Sequence, residues 1–157
     1  MGHLLEVWSA VYANHPALRT AVDFMHVGGL LAGGGCAVAA DLATLSTNPT
    51  NPAARGAQLA LLQRTHAIVI AGLTLVSVSG LLLMAADVET FLNSKVFWLK
   101  MALLAALLVN GVLMQRGERQ ARRDDVGAWL RLRRMAGVSL LLWFLTTLAG
   151  TALPNIG

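Results

Sequence analysis

Long apolar stretches separated by short polar segments dominate the pattern of this chain. A transmembrane helix needs about 20 mostly apolar residues to cross the hydrocarbon core of a bilayer. Four stretches are long enough, and they predict spans at about 21–45, 59–86, 96–114 and 135–153. They are too long for strands and lack a strand's two-residue alternation. The pattern therefore predicts an all-α protein, an integral membrane four-helix bundle that forms a single domain over 1–157.

The segment before the first span has an amphipathic pattern instead. Its apolar residues recur at helical spacing and include two aromatic side chains of the kind found at headgroup level: Leu4, Leu5, Trp8, Val11 and Tyr12. A secretory signal is excluded, because there is no basic n-region and Glu6 lies where the apolar core of a signal would be. We therefore expect a short interfacial helix over 3–14, lying on the membrane surface.

The composition agrees with a membrane protein. Apolar residues make up 56% of the chain and charged residues 13%, whereas an ordinary soluble domain carries about 25% charged residues. This shortfall argues against a soluble domain, a disordered chain and a coiled coil. Cys36 is the only cysteine, which excludes a disulfide framework.

The positive charges lie on one side of the predicted bundle. The net charge is +4, and nine of the twelve Lys and Arg residues flank the first connection or lie in the third, 115–134. The positive-inside rule then places both of these connections in the cytoplasm and both termini outside. We accordingly expect the lipid bilayer, and no nucleic acid, as the partner of this charge pattern.

Ionisable residues at membrane depth are costly, so each one needs a physical reason. Four lie inside the predicted spans: Asp23, His26, His66 and Lys100. The chain contains no phosphate-binding loop, dinucleotide fingerprint or hydrolase motif. Any chemistry is therefore expected to come from a bound cofactor.

His26 heads a helix face with little side-chain bulk. Gly29 and Gly33 follow it on this face, and Asp23 and Arg19 precede it. One interpretation is a flat cofactor beside the histidine, with Asp23 fixing the tautomer of His26 as outer-shell carboxylates do and Arg19 supplying positive charge at the mouth. The alternative is close helix packing, since Gly29 and Gly33 form a GxxxG step.

A second axial ligand has two candidates. The numbers of residues from the first turn to each histidine, with the usual spacing of packed helices, predict about 13 Å between the Cα atoms of His26 and His66. This separation suits two imidazoles on one haem iron. His66 could instead be an ordinary interfacial histidine. Lys100 could be the opposite ligand or a partner for a haem propionate, or it could simply extend to the interface. Of these, the sequence slightly favours His66, which is mostly neutral at pH 7 without any shift.

Two elements resemble a group of small bacterial four-helix membrane proteins. They are His26, followed six residues later by Ala32-Gly33-Gly34, and Phe97-Trp98-Leu99-Lys100 at the start of the third span. The group includes the HemJ-type protoporphyrinogen oxidases and the membrane domain of CopD-type copper proteins, and small b-type cytochromes share the layout. The resemblance implies haem b, with His26 and Lys100 in the site, and a location in the bacterial cytoplasmic (inner) membrane. Asp41 stands where the HemJ type has an arginine.

These features predict a haem b-binding membrane protein for electron transfer, or a haem-dependent oxidoreductase, with quinol or another redox partner. A copper-handling or permease-like protein is the alternative, because His15, Asp23, His26 and nearby methionines would suit copper. A third hypothesis is a structural subunit of a larger membrane complex. An oligomer is compatible with all three.

Overall fold

The computed structural model describes residues 2–123 and 126–156, and these are helical almost throughout, with no strand. The helices are α1 (Gly2–Asn14), α2 (Pro16–Gly29), a π-helical turn (Leu30–Gly34), α3 (Gly35–Ser46), α4 (Pro52–Ala86), α5 (Val88–Asn93), α6 (Lys95–Ala121) and α7 (Val126–Ile156). Together α2, the π turn and α3 form one long helix. This helix and α4, α6 and α7 are long and apolar enough to cross a membrane. The all-α membrane bundle predicted from the sequence is confirmed.

Local sequence explains where the helices begin. Pro16 and Pro52 occupy first-turn positions, where a missing N–H costs nothing. Three helices begin with a side-chain cap that accepts a backbone N–H: Asn51 from Ala54, Asp87 from Thr90 and Ser94 from Phe97.

The structure extends the predicted spans where the polar connections meet the bundle. α4 begins at Pro52 instead of 59, α6 continues to Ala121 instead of 114, and α7 begins at Val126 instead of 135. These extensions carry charged residues but also a small apolar core, in which Ala128, Trp129 and Leu132 are completely buried. Hydropathy alone does not detect this core, because the arginines on the outer face lower the average. We call this end of the bundle the basic end.

Two pairs of helices build the bundle. The first long helix packs on α4, and α6 packs on α7; the pairs are joined where α3 packs on α7. Close contact in the first pair depends on glycine. A Cβ on Gly72 of α4 would lie 2.5 Å from the Cα of Gly33. The backbones touch there, within the π turn, as in other small-residue membrane crossings.

The first helix, α1, lies against the opposite end of the bundle. The indole N–H of Trp8 donates to the carbonyl of Leu82 at 2.9 Å, and the hydroxyl of Ser9 donates to the carbonyl of Ala86 at 2.8 Å. Leu4 is 78% exposed on its outer side. The predicted helix is therefore present, and its position at a membrane surface stays a prediction. We call this end the α5 end.

Candidate cofactor site

A large cavity of about 540 Å³ opens between α4 and α6 towards the α5 end. We call it the His26 cavity. Apolar side chains form most of its walls, among them Val76, Leu81, Met84, Phe91, Phe97 and Met101. Three ionisable side chains line it, Asp23, His26 and Lys100. Its volume and its few convergent polar groups are typical of a cofactor or small-molecule site.

The tautomer of His26 follows from its hydrogen bond to Ser79. The Ser79 hydroxyl donates its one hydrogen to a backbone carbonyl, at 2.6 Å from that of Leu75 and 3.1 Å from that of Val76. Its oxygen lies 3.0 Å from Nδ1 of His26, so Nδ1 carries the proton and donates to Ser79. The other ring nitrogen, Nε2, then keeps a free lone pair, which is the form that ligates a metal.

Ser79 takes the role that the sequence analysis gave to Asp23. Sequence reasoning missed this residue because it lies 53 positions away in the chain and on another helix. Its signal was a polar side chain inside an apolar span, directly before a glycine. That glycine, Gly80, leaves room for the imidazole: a Cβ there would lie 3.4 Å from Cε1 of His26.

Asp23 lines the cavity and also lies close to α1. Its carboxylate lies beside the phenol of Tyr12, and partial burial together with that negative charge raises the pKa of Tyr12. Arg19 is exposed and lies outside the lining of the cavity. His15 is the exposed residue before the first turn of α2. Of the residues predicted at the mouth, only Asp23 therefore lies in the cavity wall.

Lys100 lies in the cavity wall on α6 and is partly buried. Its Nζ would be 3.5 Å from a Cβ placed on Gly150 of α7, so the missing side chain at Gly150 leaves space for the amine. The structure thus brings Lys100 and His26 to one cavity, on two different helices. This is the pair that the family resemblance suggested.

The interpretation that Gly29 and Gly33 leave room for a flat cofactor requires a correction. Cβ atoms on Gly29 and Gly33 would meet the backbone of α4, at 2.9 Å from the Gly72 oxygen and 3.0 Å from the Gly72 Cα, respectively. The space beside these two glycines is filled by a helix and has no room for a flat cofactor. Their role is close helix packing, the alternative that the sequence left open.

The pairing of His26 with His66 is corrected as well. His26 bonds to Ser79, and His66 precedes Ser79 by thirteen residues on the same helix, a distance of about 20 Å along the axis. The side-chain amide of Gln115 donates to Nε2 of His66. His66 also lines a different cavity, of only about 80 Å³. One iron between these two histidines is incompatible with this fold, because the long α4 places them at different depths.

The sequence also suggested copper ligands near His26, with Met25, Met84 and Met101 as the methionines. Met84 and Met101 share the cavity with His26, whereas Met25 does not belong to its lining. Within 2–123 and 126–156, no group of three or more His, Cys, Asp or Glu side chains is arranged to hold a metal ion. Any copper site would therefore depend on the thioethers.

Comparison with family models, curated proteins and solved structures finds no match for this chain. The functional argument therefore depends on the site itself.

Proposed function

We propose that the chain is a haem b-binding membrane protein that takes part in electron transfer or acts as a haem-dependent oxidoreductase. The observation that carries this proposal is the imidazole of His26, held by Ser79 through Nδ1 in the wall of a mostly apolar cavity of about 540 Å³. An imidazole oriented by a second hydrogen bond is a common haem ligand. The apolar walls suit a flat macrocycle.

Two of the three ionisable residues of the cavity, His26 and Lys100, have a role in this proposal. His26 would bind the haem iron through Nε2, and Ser79 would hold its ring. Lys100 is the only Lys or Arg among the described residues that line the cavity, and we assign it to a haem carboxylate, because a charged amine and a carboxylate form a strong hydrogen bond. When bound, the haem would supply one-electron chemistry, and the protein tunes it through ligand, burial and hydrogen bonds.

We further propose an orientation and an electron partner. Seven of the arginines lie in the third connection at the basic end, so this end would face the cytoplasm of a bacterium. The His26 cavity would then lie in the outer half of the cytoplasmic membrane, with both termini outside. Quinol is the expected class of partner, because it reaches a protein from within the bilayer.

The absorbance and metal content of the purified protein test the proposal. The full chain, purified in detergent from haem-replete cells, is expected to show a Soret band that shifts when dithionite reduces the iron. A pyridine haemochrome assay then identifies the haem type. A colourless protein that takes up no added haemin would refute the proposal and leave the structural-subunit hypothesis.

Copper is the second candidate, favoured by the two methionines that share the cavity with His26. Soft thioether and imidazole ligands suit Cu(I). A colourless sample that retains copper in elemental analysis, and loses it in Met84→Leu or Met101→Leu, would support this function instead. Because these substitutions conserve apolar volume, they leave the packing of the cavity wall nearly unchanged.

A further inference from the structure

The small cavity at the basic half of the bundle contains a buried carboxyl group that the proposed function does not use. Asp41 on α3 is 2% exposed and lines this cavity of about 80 Å³, with His66, Glu118 and Ser139. We call it the Asp41 cavity. Its volume leaves room for a few water molecules, but none for an organic cofactor.

Asp41 is only partly satisfied in its surroundings. Ser139 on α7 lines the same cavity, with its hydroxyl near the carboxyl group of Asp41. The second oxygen, Oδ2, is buried and has no hydrogen-bond partner among the described residues. Buried polar groups are nearly always hydrogen-bonded, so this oxygen indicates that cavity water, or a proton on the carboxyl group that bonds to it, completes the site.

Among the described residues, no Lys or Arg lines the Asp41 cavity. The titratable groups that face Asp41 are His66 from α4 and Glu118 from α6, whereas α7 contributes Ser139. Two of the arginines at this end bind other groups. Arg122 donates to the Leu59 carbonyl and to Gln63, and Arg133 donates to the Leu45 carbonyl. A carboxylate charge buried without a cation is costly, and uptake of a proton removes that cost.

We propose that the Asp41 cavity is a proton-exchange site, in which Asp41 binds a proton and a few waters connect it to Glu118 at the basic end. In each step Asp41 gives its proton to a water while that water gives one to the Glu118 carboxylate. The net transfer is therefore one proton from one carboxyl group to the other. Within the part that the structure describes, no group of three or more His, Cys, Asp or Glu side chains here could hold a metal ion. The site is independent of what the His26 cavity binds.

Infrared spectroscopy of the full-length protein near neutral pH tests this inference. We expect a C=O stretching band of a protonated carboxyl group that shifts down in D2O, because the proton exchanges through the cavity water. The band is expected to be lost in Asp41→Asn and retained in Asp87→Asn, whose carboxylate is an exposed helix cap. In Glu118→Gln the band should persist, with H/D exchange slowed several-fold.

Isotope labelling keeps the test independent of any variant. In the wild-type chain, a 13C label on aspartate carboxyl carbons should shift the band, and the same label on glutamate should not. Three results would overturn the proposal: a wild-type protein without a protonated-carboxyl band, a band that persists in Asp41→Asn, or a band that does not exchange in D2O.

Discussion

At the scale of single residues, the chemistry of the His26 cavity depends on which nitrogen of one imidazole carries the proton. Ser79 decides this. Its hydroxyl donates to a backbone carbonyl of its own helix, so its oxygen accepts the hydrogen bond from Nδ1 of His26. A serine that bonds back to the preceding turn of its helix is common in membrane spans. Here the same bond also prepares a ligand on a neighbouring helix.

Substitution of Ser79 by alanine should weaken haem binding without removing the ligand. Loss of an outer-shell partner typically lowers metal affinity by about 10–100-fold, and we expect a loss in this range for Ser79→Ala. The measurement is titration of the apoprotein with haemin, followed by Soret absorbance. Thr74→Ala is the matched control, because Thr74 is exposed on the same helix and donates only to Ile70. Equal affinities for the two variants would contradict the role of Ser79.

The assignment of Lys100 makes a separate prediction. A hydrogen bond to a charged group contributes about 1.5–3 kcal/mol, so Lys100→Gln should lower haem affinity by about 10–100-fold. The spin state in the absorbance and EPR spectra should stay as in the wild type. A spin-state change in Lys100→Gln would instead place the amine on the iron.

Sequence reasoning found His26 and Lys100 but not how they are held. Both are ionisable residues inside apolar spans, so the cost of burial alone indicates a site. Whether His26 and Lys100 share one cavity depends on how far α4 lies from α6. Whether Ser79 contacts His26 depends on the register of α4 against α2. Neither property is encoded in the local pattern of one span. The same reasoning misplaced His66, because it counted residues from the two ends of the first turn and took those ends to lie at one height.

At the scale of helices, the glycines of the first span act with Gly72 as a packing surface. Helix existence was predictable, because each span has an unambiguous length and composition. Whether these glycines pack against a helix or leave room for a flat cofactor was not predictable, since a row of glycines permits both. Contact of Gly29 and Gly33 with the α4 backbone decides between them.

Alanine substitutions at this crossing should destabilise the fold. In Gly33→Ala and Gly72→Ala the new methyl group meets backbone, which cannot rotate away, and overpacking of this kind costs about 1–3 kcal/mol. Gly28→Ala and Gly56→Ala are the controls, because a Cβ at either position meets nothing within 4 Å. The controls should be unchanged or slightly stabilised, since alanine favours helix. Thermal unfolding in detergent measures the difference, and equal midpoints for both sets would contradict the packing role.

At the scale of the whole molecule, the two cavities lie in opposite halves of the bundle. The larger one lies towards α5 and the smaller one towards the basic end, and α4 lines both. If the basic end faces the cytoplasm, as the arginines indicate, the haem of the proposed function would lie near the outer surface. The proton-exchange site would lie on the cytoplasmic side.

Cysteine labelling tests this orientation. In a Cys36→Ser background, Glu89→Cys at the α5 end should react with a membrane-impermeant maleimide in intact spheroplasts. Gln120→Cys at the basic end should react only after the membrane is opened. Both positions are exposed in the structure, so a difference in labelling reports the side of the membrane and not burial within the protein. Labelling of Gln120→Cys from outside would reverse the orientation.

The haem content of two histidine variants tests the central claim most directly. His26→Ala and His66→Ala are purified beside the wild type, and haem per protein is measured by pyridine haemochrome. Because His26 alone lines the large cavity, His26→Ala should lose the Soret band while remaining in the membrane, and His66→Ala should keep wild-type occupancy. Full occupancy in His26→Ala would contradict the account, and so would loss of haem in His66→Ala alone.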